Sequence, residues 1–396
     1  MKIIGSTQKK ELNFMIKKDT KNNKLIEVFK VFFKMGLIAF GGPAAHIAMM
    51  EEEIVNKRKW FDRQHFLDLI GATNLIPGPN STEMTMHCGH ERAGIAGLFV
   101  AGISFIFPAV VITTIFAWFY VEYGEIPQVE AFIYGIKPAV LVIILSAVIK
   151  LGKKALKNYE LGILGALVLI TTFFGINEII ALLSGGIIGA FYFYLKNKPS
   201  INVKSILPLI FLQAPISTIS AITSSKIFWV FLKVGSILYG SGYVLFAYLD
   251  AELVSQAWLT RQELLDAIAV GQFTPGPVLT TATFIGYQLG GFGGAFAATM
   301  GIFLPSFLFV LLLNPLIPKM RKSKFLSYFL DSVNVAAVAI MLSVLFVMAK
   351  DTVIDWRAIV IVIVSLFLHF KVKKANAMWI VLIGSILGFL LKFIVL

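Results

Sequence analysis

Two Pro-Gly-Pro motifs, one in each half of the chain, are the residues whose types and spacing could do chemistry. Each stands at the same distance after an Arg-Gln pair. Proline lacks a backbone N–H and glycine tolerates positive φ, so each motif ends one helix and lets another begin after a sharp break. A helix that starts there presents free N–H groups and a positive dipole end, which favour an anion. The motif residues are Pro77, Gly78 and Pro79, and Pro275, Gly276 and Pro277.

Uncharged polar side chains follow both motifs. Their hydroxyl and amide groups suit a tetrahedral oxyanion, which accepts many hydrogen bonds. The alternative is that they only cap the new helices or bond back to nearby carbonyls. Because Thr82 and Thr280 hold equivalent positions, the duplication favours a binding role for this pair. The candidates are Asn80, Ser81, Thr82 and Thr280.

Two pairs of cations recur at matching positions and are candidates for compensating the charge of the anion. Arg63 and Arg261 each precede an aspartate by five residues, so an Arg–Asp pair that holds each repeat together is an equally good interpretation. Lys34 and Lys233 lie within apolar helices, where a central cation costs roughly 2.5–3.5 kcal/mol on insertion scales. Side chains that reach up to the membrane surface are the alternative for these lysines.

Proton coupling would require an acid near the same breaks. Glu83 directly follows the first motif, whereas its counterpart is Thr281, so only one half carries a titratable group there. Asp68 and Asp266 are the further candidates. The histidines form no visible ligand cluster, and the single cysteine, Cys88, excludes a cysteine cluster, so we expect no metal and no cofactor.

The composition sets these residues in a membrane. The chain has 396 residues, of which 58% are hydrophobic and 14% charged, and the apolar residues come in long runs. This is typical of an all-α, polytopic integral membrane protein, and the period-two alternation of a barrel is absent. Lysines gather between the runs, so the net charge of +13 indicates positive-inside topology rather than nucleic-acid binding.

The two halves are copies of one pattern and predict inverted-topology repeats with broken helices. The loop at 122–130 is acidic and free of lysine, whereas the equivalent loop at 319–324 is basic. Other basic loops alternate in the same way, so the halves lie in the membrane with opposite orientation. That inversion needs an odd number of crossings, and Ile206–Ile222 supplies the extra one. Six segments per half and this linker give about 13 membrane segments.

A second helix break lies early in each half. Gly41, Gly42 and Pro43 interrupt the first apolar helix, and Gly240 marks the equivalent place, where no proline follows. This broken helix and the Pro-Gly-Pro pair either cross the membrane once each or dip in and return. The expected organisation is a basic cytoplasmic tail, a first repeat, a linker and an inverted second repeat, at 1–24, 25–198, 199–225 and 226–396.

The residues at the helix breaks resemble those of a known protein family. The segments 40–43, 74–80 and 272–277 resemble the signatures of the chromate ion transporter family, over essentially the whole chain beyond the tail and in the long-chain form with two homologous halves. The resemblance implies export of chromate across the cytoplasmic membrane, driven by the proton-motive force, and chromate resistance. Its motif residues transfer to both Pro-Gly-Pro motifs and to Gly41, Gly42 and Pro43.

The expected function is therefore secondary transport of a divalent tetrahedral oxyanion. A sulfate-like oxyanion transporter and an anion channel are the alternatives, because sulfate has the shape and charge of chromate and a channel would need no coupled proton. A membrane enzyme is disfavoured, since no nucleotide motif or sizeable soluble domain is visible. Expected partners are chromate or sulfate, protons and the lipid bilayer, but no nucleic acid, and homodimerisation is left open. The amino end is expected inside and the carboxyl end outside.

Overall fold

The computed structural model contains only helices and connections in the part of the chain that it describes. The predicted linker segment and most of the amino-terminal tail lie outside that part, as do Gly41 and Gly240. Five helices are long and apolar enough to cross a membrane, which confirms the all-α membrane class. The described residues are 23–40, 42–124, 126–197, 222–239, 242–313, 320, 322–372 and 377–392.

The first repeat forms seven helices, and a π-helical turn, Glu51–Lys57, extends the second of them. The helices are α1 (23–38), α2 (Gly42–Met50), α3 (Arg63–Thr73), α4 (Asn80–Tyr123), α5 (Pro127–Ala155), α6 (Tyr159–Phe173) and α7 (Glu178–Lys196).

The second repeat forms the same elements in the same order, which confirms the duplication. Its second helix again runs into a π-helical turn, here Asp250–Val254, and short 3-10 turns precede two of its helices. The helices are α8 (Ser224–Ile237), α9 (Leu245–Leu249), α10 (Arg261–Phe273), α11 (Thr281–Leu313), α12 (Lys324–Thr352), α13 (Trp356–Lys371) and α14 (Ala377–Lys392).

The longest helix of each repeat is folded back on itself. In α4 the backbone leaves helical geometry at Ala93 and Gly94, where Gly94 has φ +66°, and in α11 the equivalent Gly291 has φ +57°. A Cβ on Gly89 would lie 2.5 Å from the Cβ of Ala101, which a straight helix would place about 18 Å further along its axis. We therefore divide these helices into α4a (80–92) and α4b (95–123), and α11a (281–289) and α11b (292–313).

Ion pairs show that the first four segments of repeat 1 start and finish at one end of the bundle. Glu27, near the start of α1, accepts hydrogen bonds from Arg58 at 3.1 Å and from Arg92 at 2.6 Å. His65, near the start of α3, lies 3.4 Å from Glu91. The start of α1, the end of the π turn, the start of α3 and the end of α4a thus share this first end.

The breaks between those segments lie halfway along the bundle. A Cβ on Gly36, near the end of α1, would lie 2.6 Å from the carbonyl oxygen of Phe105, in the middle of α4b. A Cβ on Gly78 would lie 2.6 Å from the Oγ of Ser306, in the middle of α11b. Both segment pairs, α1 with α2 and α3 with α4a, therefore dip to mid-depth and return.

The two repeats are inverted, and the last helix of each repeat packs against the other repeat. Helix α5 packs against α14 and runs antiparallel to it, because Phe132 stacks on Phe389 while Ala139 contacts Gly384. Short connections reverse the chain twice between α5 and α7, so α5 and α7 run in the same direction. Since α14 is the counterpart of α7, equivalent helices of the two repeats run in opposite directions, as the loop charges predicted.

Side-chain labelling would test this arrangement. Cysteines introduced at Glu122 and Lys322, both exposed, are expected to react with an impermeant maleimide from opposite sides of the membrane, in a Cys88→Ala background. Cysteines at Lys157 and Ile354 are the controls. The cysteine at position 157 should react from the same side as the cysteine at 322, and the cysteine at 354 from the same side as the one at 122. The two residues of each pair lie at the same end of the bundle. Reaction of all four from one side would contradict the inverted fold.

Candidate functional site

Two reciprocal backbone hydrogen bonds join the helix breaks of the two repeats at mid-depth. The N–H of Gly78 donates to the carbonyl of Leu238, at the end of α8, over 2.7 Å. The N–H of Gly276 donates to the carbonyl of Ala39, at the end of α1, over 2.9 Å. Each Pro-Gly-Pro motif is thus held by the broken helix of the other repeat.

Two further contacts close these breaks into a ring. The Nε2 of His46, in α2, lies 3.0 Å from the Ala39 carbonyl, which can only accept, and its Nδ1 lies 3.2 Å from the Oγ of Ser81. On the opposite side a Cβ on Gly242 would lie 3.2 Å from the Cδ1 of Leu279. We call this assembly the break ring. It comprises Ala39, Gly42, residues 74–79, Leu238, Gly242 and residues 274–280.

The two motif glycines contact equivalent positions on the long helices α11b and α4b. Gly78 has φ +143°, and a Cβ there would collide with the Oε1 of Glu83 and lie 2.6 Å from the Oγ of Ser306. Gly276 has φ +90°, and a Cβ there would lie 2.8 Å from the Cβ of Ala109, which is the counterpart of Ser306. Backbone conformation and close approach therefore both require glycine at these positions.

The helices that begin at the ring start without a side-chain cap. Pro79 is the N-cap of α4, and Pro277 is the N-cap of the 3-10 turn before α11, and neither has a capping side chain. Most helices that begin at the ends of the bundle are capped, for example α3 by Asp62 and α10 by Thr260, although α5 has no side-chain cap. The inner N-termini thus leave N–H groups and positive dipole ends for an anion to use.

The polar side chains after the motifs differ in how they are bonded. Thr280 donates to the carbonyl of Pro277 over 2.9 Å, and the amide of Asn80 donates to the side chain of Asn74 over 2.7 Å. The buried hydroxyl of Thr82 has no hydrogen-bond partner among the described residues. Of the predicted pair, Thr82 is therefore the one whose hydroxyl is available to a ligand.

Glu83 is the acid of the break ring. It is fully buried, and neither carboxyl oxygen has a hydrogen-bond partner in the described part of the chain. Its counterpart Thr281 bonds back to the carbonyl of Val278 over 2.9 Å. A buried carboxylate without partners would be strongly destabilising, so the side chain is neutral in this conformation.

The duplicated arginines lie at the ends of the bundle rather than at the ring. Arg63 donates to Glu51 over 2.8 Å, and Arg261 donates to Asp250 and Asp351, both over 2.9 Å. Glu51 and Asp250 are equivalent positions on the π-helical turns. These arginines begin α3 and α10, so Arg63 lies about 16 Å and Arg261 about 20 Å along the helix from the ring. Their role in anion binding stays a prediction.

The remaining charged candidates are also dispersed. Lys34 is exposed, whereas Lys233 binds the buried Glu252 over 2.7 Å. Asp68 is half-buried in the middle of α3. Asp266 is buried in α10 and accepts a hydrogen bond from Tyr120 over 2.7 Å. Pro43 lies in the first turn of α2, immediately after the break.

Three residues at or near the site were not among the sequence candidates. His46 and Ser306 correspond to Leu245 and Ala109, so a search for duplicated residues passes over them. Lys137 lies 3.4 Å from Asp266 in the structure. It could have been found, because it is a cation in the middle of an apolar run.

Comparison with known proteins decides the family. The sequence model of one family, described as chromate transporter, matches residues 26–190 and matches again at 225–389. The chain belongs to the chromate transporter family. It is therefore a multi-pass membrane protein of a transporter family, and the two matched regions correspond to the two structural repeats.

Individual relatives agree with this family. The chain is 29% identical to a probable chromate transport protein of Synechococcus elongatus, over 92% of this chain and 95% of the relative. It is 29% identical to a chromate transport protein of Cupriavidus metallidurans, over 92% of each. An uncharacterized transporter of Bacillus subtilis matches 45% of this chain with 92% of its own length, at 29% identity. No solved structure matches the chain significantly.

Substitution of the motif glycines tests the ring. Gly78→Ala and Gly276→Ala are expected to abolish most chromate transport at near-normal yield, because overpacking of about 1–3 kcal/mol falls on the inter-repeat contacts. Gly175→Ala is the matched control, since Gly175 also has positive φ, +79°, but faces open space. Equal chromate flux in proteoliposomes for all three variants would show that close approach at the ring is not needed.

Proposed function

We propose that this protein is a secondary transporter that exports chromate across the cell membrane, driven by the proton-motive force, and so confers chromate resistance. The observation that carries the proposal is the break ring, where two inverted repeats meet at mid-depth with uncapped helix N-termini. Membership of the chromate transporter family supports the substrate class. Sulfate, with the same shape and charge, is the competing substrate.

Anion binding would use the backbone of the break ring. Each helix N-terminus is equivalent to about half a positive charge, and the apolar surroundings strengthen its attraction for a dianion. The unpartnered hydroxyl of Thr82 would add a directed donor. The proposed binding set is Gly41, Gly42, Pro43, Pro77, Gly78, Pro79, Asn80, Ser81, Thr82, Gly240, Pro275, Gly276, Pro277 and Thr280, with Arg63, Arg261, Lys34 and Lys233 on the approaches.

Alternating access follows from the way the hairpins enter. The hairpins of repeat 1 enter from the first end of the bundle, where Glu27 and Arg92 pair. The hairpins of repeat 2 enter from the opposite end, where Arg261 pairs with Asp351. Rocking one repeat against the other would open the ring to one end at a time. The basic loops support an orientation in which the amino end is inside and the carboxyl end outside.

Glu83 is the proposed coupling site. Its carboxyl group is neutral when the ring is closed, and it can lose its proton when the ring opens to water. The groups that face it are Gly78 in its own repeat, Ser306 on α11b and Tyr239 after α8. Loss of the proton leaves a carboxylate beside the anion position, so anion and carboxylate charge repel each other. Proton binding would therefore favour anion binding, so a proton and the dianion would cross together, and the membrane potential would drive their net negative charge outward.

Flux measurements in proteoliposomes test coupling. One pH unit supplies about 1.4 kcal/mol per proton, so at zero membrane potential chromate should accumulate on the alkaline side about tenfold per coupled proton if the two move together. Glu83→Gln is expected to keep chromate exchange but to lose accumulation, because glutamine cannot titrate. Glu122→Gln, which removes an exposed acid at the end of α4b in the same repeat, is the control and should accumulate normally.

The other outcomes are equally informative. Accumulation on the acidic side would show exchange of chromate for protons and would contradict the proposed coupling. Flux that never responds to a pH gradient would favour the anion channel, and stronger uptake of sulfate than of chromate would replace the substrate. Unchanged accumulation in Glu83→Gln would remove Glu83 from the coupling mechanism.

A further inference from the structure

A partly buried lysine joins the two repeats away from the break ring. Lys137 lies in α5, about 15 Å along the helix from its start. Its side chain is 19% exposed, the lowest value for any lysine or arginine that forms an ion pair among the described residues. A cation at such depth is costly, and in membrane proteins it marks a functional site or a well-formed ion pair.

The ion pair that Lys137 forms is a poor one. Its Nζ lies 3.4 Å from the Oδ2 of Asp266, beyond the 2.7–2.9 Å of a strong charge-assisted hydrogen bond. That same oxygen accepts the hydroxyl of Tyr120 over 2.7 Å. The other oxygen, Oδ1, is buried and has no partner in the described part of the chain. Geometry of this kind offsets little of the desolvation of two charges, so stability alone does not account for the pair.

Space for a ligand lies beside the pair. An open, apolar groove of about 440 Å³ is lined by Tyr120, by Ile133, one turn before Lys137, and by Val270, one turn after Asp266, and the ion pair lies behind this lining. It has room for a tetrahedral oxyanion with several waters of about 30 Å³ each. Its other walls are aromatic and aliphatic side chains between the ends of α4b and α5. Such low-dielectric walls focus the field of a buried cation on an anion within them.

We propose that Lys137 binds the transported oxyanion between the break ring and the second end of the bundle, and that Asp266 holds Lys137 when no anion is present. The proposal rests on the proposed function. An arriving dianion displaces the Asp266 carboxylate from Lys137. Asp266 lies in α10, nine residues before Pro275, so its release also frees the hairpin that carries the second Pro-Gly-Pro motif.

A static strut between the repeats is the competing explanation, and the two make opposite predictions for Asp266. If Lys137 binds substrate, Asp266→Asn removes a competitor and lowers the apparent KM for chromate. If the pair only holds the repeats together, Asp266→Asn damages transport as much as Lys137→Gln does, and the double variant is restored because neither charge is left alone.

The experiment is chromate flux in proteoliposomes containing the full chain. Lys137→Gln is expected to raise the apparent KM about tenfold, equivalent to about 1.4 kcal/mol of binding. Asp266→Asn should lower it, and the double variant should resemble Lys137→Gln. Lys157→Gln is the matched control, because Lys157 also pairs across the repeats, with Asp331 at 2.6 Å, but is 57% exposed and lies in the connection between α5 and α6, at the other end of α5 from the groove.

The outcomes separate this inference from the proposed function. If the unmodified protein carries no chromate, the proposed function fails. If it carries chromate and Lys137→Gln has a normal KM, or if the double variant is restored, this inference alone fails. If Lys137→Gln is recovered in too low a yield, Asp266→Asn decides, because tighter chromate binding cannot result from damage. A raised KM in Asp266→Asn would overturn the inference.

Discussion

The structure depends on one constraint. Backbone N–H and carbonyl groups at the helix breaks, halfway along the bundle, need hydrogen-bond partners. Within a membrane no water can satisfy a broken helix, so its N–H and carbonyl groups must be bonded within the protein. Here each repeat satisfies the other, through Gly78 with Leu238 and Gly276 with Ala39. The exchange fixes the relative position of the repeats, brings helix N-termini together, and leaves glycine as the residue that allows both φ and contact distance.

The two repeats share the same backbone geometry at the breaks, but different side chains lie beside it in each repeat. Beside the first motif stand Glu83 and His46, whereas Thr281, the counterpart of Glu83, bonds back to the backbone of its own repeat. Ser306 contributes a hydroxyl next to Glu83, while Ala109 contributes only a methyl group at the matching place. Duplication thus supplied one scaffold twice, and later divergence separated a half suited to a proton from a half that offers mainly backbone donors.

Much of this could be predicted from sequence because duplication leaves local marks. Proline and glycine residues mark the breaks and the repeats, and the charges of the loops indicate the inversion. Side-chain pairing was not predictable in the same way, because it depends on long-range packing. Arg63, for example, pairs with Glu51, which lies 12 residues earlier on a different helix. A search for duplicated residues does not find Lys137, because this lysine occurs in one repeat only.

Charge balance connects the ring, Glu83 and Lys137. Two inner helix N-termini together are equivalent to about one positive charge, which is half of what a dianion requires. A carboxylate at Glu83 would cancel much of that, so the acid must be neutral while the anion is bound. Lys137 provides the missing charge only where Asp266 releases it. Under the proposed function, the anion is therefore held by fixed dipoles at the ring and by a removable cation on the path. Neither site alone binds it so strongly that it cannot leave.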